Sequence, residues 1–589
     1  MANKRKVGII GIGPRGGWAM ENLVIELNKR NSLMQIHLLL FEETGKFGNG
    51  QVYDTNQIQS NWINISERIL LLDERKAIVL TDIIVPSFPS YHQWAAKDFE
   101  VLSKDQADTY PPRAKIGNYL QQRFQSFVYP LIKINMVSLF QEHVEEVTIV
   151  NQNKISIKTD LNTYKEIDEV LLTIGHQTTK LSKQLVKWDN YSAHNENIKL
   201  FKAPYPITEF LNDDELTHES VVGIRGFGLA MIDVARAIAN KFGNFIPQDE
   251  FTKVCTFESN HSKTPLLVPF SLNGMPPAPK PLNPFIDEWF EPTDEQISKF
   301  EYKIGNSSAQ KKAANPNFLI SAFTPIAAKI YAGLAKSYCK GEFSIHEIEK
   351  VIEEWLQNND FEHPTIIPQI QSTKKTMQDF VNMAIGRKDI SLDYCIGQVW
   401  RYCQPSIYEK LSFNKCSEQV FAEIIELDES IKRYSYGPPV ESIQQLLALV
   451  DTGIIDLGML NNPEFELTNE GWLFKLNGKT QIADFMINSV LDAPKIQDVN
   501  SSIVKKMLSN NLIEPIHDDL GVATDENGYV ASNIKSNDVP IALLGRLAKG
   551  TIIGVDAILE CFGERPQKWA VEATNRHSYW LKQTKNGTI

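Results

Sequence analysis

Lys6 to Met20 reads KVGIIGIGPRGGWAM. Val7 to Ile12 is a continuous apolar run, the mark of a parallel strand covered on both faces. A glycine turn follows, then a helix, WAMENLVIELNKR, with Met20, Leu23, Val24 and Leu27 at helical spacing. QIHLLLFEE is a second apolar strand ending in acids, so Lys6 to Glu43 forms one β-α-β unit. Gly11, Gly13 and Gly16 satisfy G-x-G-x-x-G in that context. The first glycine permits the tight turn, the second admits a pyrophosphate, and the third lets helix and strand pack closely. Pro14 lacks an N–H and fixes φ, which suits a turn entering a helix. Arg15 is oriented by the same turn and belongs with the cofactor-binding residues, not the catalytic ones. Glu42, closing the second strand, can accept hydrogen bonds from a ribose diol and disfavours a 2′-phosphate. The first site therefore suits FAD or NAD rather than NADP.

The chain has 589 residues, 42% of them hydrophobic, and a net charge of −12. That length fits roughly three or four domains. Lys and Arg total 60 and form no basic block, which argues against nucleic acid as a partner. No run of 18 apolar residues and no signal peptide stands out, so no membrane span and a cytoplasmic location are expected. The six cysteines lack C-x-x-C or metal-type spacing and read as reduced thiols; no metal is expected.

A second unit follows in SVVGIRGFGLAMIDVARAIANKFG. Ser220–Ile224 is strand-like, Gly226 and Gly228 form the turn, and Leu229 opens a helix. Met231 stands where a third glycine would. The next strand is expected in KVCTFESNHSK, whose end carries Glu258, Ser259, His261 and Lys263, groups that could suit the 2′-phosphate of NADPH. Two further stretches share one design. VEEVTIVNQNKISIKTDLNTYKEIDEVLLTIGH reads as a hairpin and then an apolar strand, Val170–Ile174. FELTNEGWLFKLNGKTQIADFMINSV reads as a hairpin and a strand ending near Asn488. Pro265 to Pro292 is proline-rich and reads as an irregular loop. Helical patterns dominate from about 294 to 460. The fold class expected is α/β, a two-dinucleotide-binding (Rossmann-like) flavoprotein with a mainly helical insertion. The expected divisions are 1–205 (FAD, N-terminal part), 206–290 (NAD(P)), 291–460 (helical cap) and 461–589 (return to both nucleotide domains). One site would hold FAD and the other NADPH or NADH.

GIGPRG, GNGQVYDTNQIQSNWINIS, YPPRAKIGNYL, LLTIGHQ, APYPI, VVGIRGFGLAMID and LLGRLAKGTIIGVDAILECFG occur in that order. Together they resemble a bacterial family of FAD/NAD(P)-binding proteins. That family is distantly similar to flavin-dependent N-hydroxylating monooxygenases of the lysine and ornithine type, and includes aspartate N-hydroxylases and a urate hydroxylase. The resemblance implies that Gly48 and Gly50 carry a loop past FAD and that Asn64 lies near the flavin. Arg113 would offer its fork to a phosphate or carboxylate, the alternative being a structural salt bridge. Gly175 and His176 would end the strand leading to the second nucleotide domain, with His176 touching cofactor, the alternative being a structural histidine. Gly545, Gly554 and Asp556 would close a late strand over the flavin, and a helix from about Asp556 to Cys561 would aim its N-terminus at the isoalloxazine O2 or the ribityl chain. Trp400, Arg401 and Tyr436 could line a pocket, although aromatics there are usually core.

The activity so implied is an NAD(P)H-consuming FAD monooxygenase acting with O₂ on a small polar metabolite, such as an amine, through a C4a-(hydro)peroxyflavin. The alternatives are a flavin reductase or dehydrogenase serving another acceptor, and a non-catalytic FAD sensor. No protein nucleophile is required, and no catalytic residue is assigned. Homo-oligomerisation is left open.

Overall fold

The computed structural model describes every residue except 1–3, 81–82, 100, 151–153, 336, 338–342, 492, 494, 532–539, 556 and 586–589. Its first sheet places Arg5–Ile10 at the centre, as the apolar run demands. Ile36–Phe41 and then Val137–Phe140 lie on one side; Glu169–Leu172 and then Ile541–Leu543 lie on the other. All of these pairings are parallel. Both faces are covered. Val7 and Ile9 pack in one core with Leu23 and Val24 of helix Pro14–Lys29 and Trp569 of helix Glu564–Lys585. Ile10 and Leu172 pack in another with Val147, Ile155 and Ile157. That second cover is a meander, Val144–Ile149, Ile155–Thr159 and Thr163–Ile167. It has one strand more than the expected hairpin, because the third strand, TYKEI, is largely polar and turned to solvent. Chain ends meet at Glu169, which is fully buried. Arg5 bonds one carboxylate oxygen at 2.5 Å and the Tyr529 hydroxyl bonds the other at 2.8 Å.

The second sheet runs Lys199–Phe201, Phe485–Asn488, Val221–Arg225, Leu266–Phe270, again all parallel. Helix Leu229–Phe242 covers one face. The other is covered by the meander Glu464–Leu467, Trp472–Leu476 and Lys479–Ala483, together with helix Lys183–Ser192. Lys199–Phe201 lies in this sheet, so the chain crosses to the second unit before residue 205.

Two expectations are overturned here. The proline-rich stretch is not all loop, since Leu266–Phe270 is the strand beside Val221–Arg225. Leu266 N–H donates to Ser220 O at 3.0 Å, whereas Leu267 N–H turns outward to Ile454 O at 2.8 Å. Pro269 shares the outward side with Leu267, so its missing N–H removes no bond to the neighbouring strand. Conversely, Cys255–Ser259 is no part of this sheet. It pairs antiparallel with Gly243–Pro247 in a separate ribbon. Beyond Asn283 the chain is mainly helical, and these helices share one apolar core with the second sheet.

Candidate functional site

At the first turn the three glycines do three different things. Gly11 has φ +88°, and a Cβ there would lie 2.6 Å from the Thr173 carbonyl oxygen. A Cβ on Gly16 would lie 2.3 Å from the Gly11 carbonyl oxygen and 2.7 Å from Thr173 Oγ1. Gly13 is different: the nearest described atom to a Cβ there is Gly50 Cα, at 3.8 Å. Gly11 and Gly16 thus close helix against strand, while Gly13 leaves an open cradle. Gly13 is the N-cap of helix Pro14–Lys29 with extended backbone, and no side chain caps the helix. Its first N–H groups therefore remain for an anion. Gly48 (φ +92°) donates to Ile12 O at 2.6 Å, and Gly50 (φ +63°) lies against Gly13. Glu42 accepts from Ile12 N–H at 2.9 Å and from the Thr44 hydroxyl at 2.7 Å. Burial pushes its carboxyl above the usual range. An open glycine cradle, an uncapped helix start and a carboxylate at the strand end fit a dinucleotide.

The C-terminal segment lies over this turn. Arg15 Nη2 donates to Val555 O at 3.4 Å. Gly545 has φ +106°, and a Cβ there would fall 2.2 Å from Arg15 Nη1, so the glycine makes room for that guanidinium. Gly554 (φ +72°) faces the ring of Tyr408, and a Cβ there would lie 2.3 Å from the ring carbon Cδ2. Asp556 lies outside the described residues. The expected helix is a single turn, Ile558–Cys561. So few aligned peptides carry too small a dipole for the role expected of it.

The second turn repeats the first. Gly226 has φ +109°, and a Cβ would lie 2.8 Å from Ser489 Oγ. Gly228 is the N-cap before Leu229, with no described atom within 4 Å of a Cβ. Ser489 follows strand Phe485–Asn488 as Thr173 follows Glu169–Leu172. Thr173 N–H donates to Ile10 O at 2.8 Å and Ser489 N–H to Arg225 O at 2.8 Å. Each hydroxyl turns back to the same carbonyl, at 3.3 Å and 2.7 Å. Met231, at the third-glycine position, is fully buried. The expected 2′-phosphate readers do not serve this turn. Lys263 follows the ribbon, exposed, and pairs at 2.8 Å with Glu219, which precedes strand Val221–Arg225 and so lies at the end away from the glycine turn. The strand beside the glycine turn ends instead at Phe270, which puts Ser271–Asn273 at the ribose end.

Arg113 forms the alternative considered for it. Its Nη2 lies 3.4 Å from Asp233 Oδ2, and the Tyr205 hydroxyl donates to that same oxygen at 2.6 Å. Burial pushes the Asp233 carboxyl up, opposed by Arg113, Tyr205 and Arg236. Asn64 meets the helical region, donating to Tyr436 O at 3.3 Å and accepting from Lys280 Nζ through its own carbonyl. The Tyr436 and Tyr408 hydroxyls lie 3.0 Å apart, next to Gly554. Burial, reinforced by Arg401, pushes the Lys280 amine down to about 7. Arg401 pairs with Asp287, whereas Trp400 is fully buried core donating to Asp428 at 2.9 Å. Gly175 (φ +66°) has open space around it and His176 is exposed. Sequence reading missed Thr173, Ser489, Lys280 and Tyr205. The first two carried a signal, a small hydroxyl directly after an apolar strand.

Two glycine cradles at the carboxyl ends of two parallel sheets define a two-dinucleotide-binding (Rossmann-like) α/β fold with a mainly helical insertion. Residues 8–177 match the family model described as FAD-NAD(P)-binding. Solved structures with a similar course include the reduced form of ornithine hydroxylase from Pseudomonas aeruginosa (10% identity, TM-score 0.49, 98% of this chain and 100% of that one). L-lysine 6-monooxygenase from Pseudomonas syringae gives 11% identity and TM-score 0.47 over 98% and 100% of the two chains. NADP⁺-bound cyclohexanone monooxygenase from Rhodococcus sp. Phi1 gives 13%, 0.42, 98% and 85%. No curated protein sequence matches the chain. No described helix is long and apolar enough to cross a membrane.

Proposed function

We propose that the chain is an FAD-dependent, NAD(P)H-consuming monooxygenase acting with O₂ on a small polar metabolite, such as an amine to be N-hydroxylated. The observation that carries this reading is the pair of open cradles, Gly13 and Gly228, in two units that meet through Arg113–Asp233 and Trp62–Arg236. FAD belongs at Gly11, Gly13 and Gly16, with Glu42 on the ribose; NADPH or NADH belongs at Gly226 and Gly228. Bound flavin supplies two-electron chemistry and, once reduced, reactivity towards O₂. The protein orients and encloses. N–H groups of the helix starts after Gly13 and Gly228 would hold phosphates, and Arg15 ties the C-terminal segment down over the first turn through Val555 O. Asn64, Lys280, Tyr408 and Tyr436 offer polar contacts where the FAD unit meets the helical region. With its amine near neutrality, Lys280 can take up or release a proton at Nζ.

The test is anaerobic bleaching of the purified yellow protein by NADPH and NADH, followed by turnover under ¹⁸O₂ with amino acids, diamines and purines. Label in a hydroxylated product supports the reading. Full NAD(P)H consumption with no label in any product leaves a reductase, and bound FAD that neither nucleotide bleaches leaves a sensor.

A further inference from the structure

Helix Leu229–Phe242, which begins at the second cradle, touches the first unit through one face. Asp233 and Arg236 are three residues apart and share that face. Asp233 takes the Tyr205 hydroxyl at 2.6 Å and Arg113 Nη2 at 3.4 Å. The Arg113 guanidinium also lies over the Tyr205 ring, 5.1 Å from its centroid. Arg236 stacks on Trp62 with its guanidinium carbon 3.7 Å from the ring centroid, and its Nε donates to Gln445 at 2.6 Å. Trp62 and Arg113 are themselves neighbours. Trp62 bridges Pro112, and Arg113 N–H donates to Asn61 O at 2.8 Å. Arg113 and Trp62 belong to the first unit, Tyr205, Asp233 and Arg236 to the second unit, and Gln445 to the helical region.

Asp233, Arg236 and Arg113 are all largely buried, with Asp233 and Arg236 under a tenth exposed. A charged cluster in this position is costly unless its partners are held in place. Arg113 Nε is buried with no hydrogen-bond partner, so the guanidinium is held by Asp233 and Tyr205 rather than by a full fork. Asp233 sits one turn inside the helix that opens at Gly228, so a shift of this contact moves the second cradle directly.

The geometry points to a positioning latch: Arg113, Tyr205 and Asp233, with Trp62 and Arg236 beside them, set the distance between the two nucleotides and hence the rate at which reduced nicotinamide delivers its hydride to the flavin. The latch rests on the two-nucleotide reading above. Its residues are positioning residues, acting through the placement of the helix after Gly228. Transfer between two bound rings is steep in distance, and a displacement of about 1 Å can cost about a hundredfold in rate.

The test uses the FAD-loaded full chain, with Tyr205→Phe, which removes one hydroxyl, and Asp233→Asn, which removes one charge. Stopped-flow bleaching of the flavin is followed anaerobically at saturating NADPH. Amide hydrogen exchange of residues 229–242 in the same proteins without nicotinamide nucleotide gives a readout independent of turnover. The expected result is reduction slowed about tenfold or more at saturation, FAD content and visible spectrum unchanged, and faster exchange in that helix. Asp233→Glu, which keeps the charge, recovers part of the rate. Reduction within about twofold of the parent rate in both variants overturns the latch, whatever happens to their melting temperatures. A parent protein that neither NADPH nor NADH bleaches fails differently: it overturns the two-nucleotide reading before the latch is reached.

Discussion

Gly16→Ala is the sharpest perturbation of the first cradle. The added carbon would lie 2.3 Å from the Gly11 carbonyl oxygen, where ordinary contact begins at 3.4 Å. The obstacle is backbone, so no rotamer relieves it. Helix Pro14–Lys29 must retreat from the strand by about 1 Å, an overpacking cost of about 1–3 kcal/mol. The same retreat stretches an N–H···O bond to a cofactor phosphate from about 2.9 Å to beyond bonding range. One such bond to a charged group contributes about 1.5–3 kcal/mol. The FAD dissociation constant should therefore rise about 10- to 100-fold. Titration of apoprotein with FAD, read by quenching of flavin fluorescence, measures this directly, and a melting curve reads the overpacking. A dissociation constant within about threefold of the parent would refute the placement of FAD on this turn.

In the second unit Gly228→Ala should leave apoprotein stability within about 0.5 kcal/mol, since nothing crowds the added carbon and the backbone is extended there. It should raise the KM for NADPH about tenfold or more with FAD content unchanged, a split read by steady-state NADPH oxidation. Arg5→Met leaves the buried Glu169 carboxylate with Tyr529 alone and should cost about 3–5 kcal/mol in urea denaturation; an unchanged midpoint would deny that this pair is sealed from water. His577, fully buried and bonded through Nε2 to Ser32 O at 2.9 Å, is pushed down by burial from 6.5 to about 4. Its neutral form supports the fold above pH 6.5, and that support is lost as pH falls towards 4, by about 3 kcal/mol at most. Stability of His577→Gln, measured by urea denaturation at pH 7, 5 and 4, should fall less steeply than that of the parent.

The first cradle was legible because one short stretch carries strand, turn, helix and acid together, and each local cue agrees with the next. Gly11, Gly13 and Gly16 take the places that spacing assigns them. Features that depend on distant partners were not legible. LLVPF looks like loop among prolines until the outward turn of Pro269 is known. CTFES has strand character, but nothing in it says that its partner is Gly243–Pro247 rather than the parallel sheet. Arg113 offers the same fork to a phosphate or to a carboxylate. What decides is Asp233, 120 residues away, which the fold delivers to it. Trp400 and Tyr436 differ in the same way: one is sealed in the helical core and the other reaches the Tyr408–Gly554 junction, though both sit in aromatic helical sequence.

Met231 shows which of the three glycine roles is dispensable. In the first unit Gly16 is forced by crowding, because the Gly11 carbonyl and Thr173 stand where any side chain would begin. In the second unit the tight-turn role remains with Gly226 against Ser489, and the open approach remains with Gly228. Only close packing of helix on strand is given up, and Met231 fills the space with a flexible, fully buried side chain. The two residues that face a ligand or shape the turn are kept, while the one that serves packing is replaced by packing of another kind. An added carbon at Gly228 would meet no described atom within 4 Å, so the approach that the fingerprint's second glycine provides is kept despite Met231.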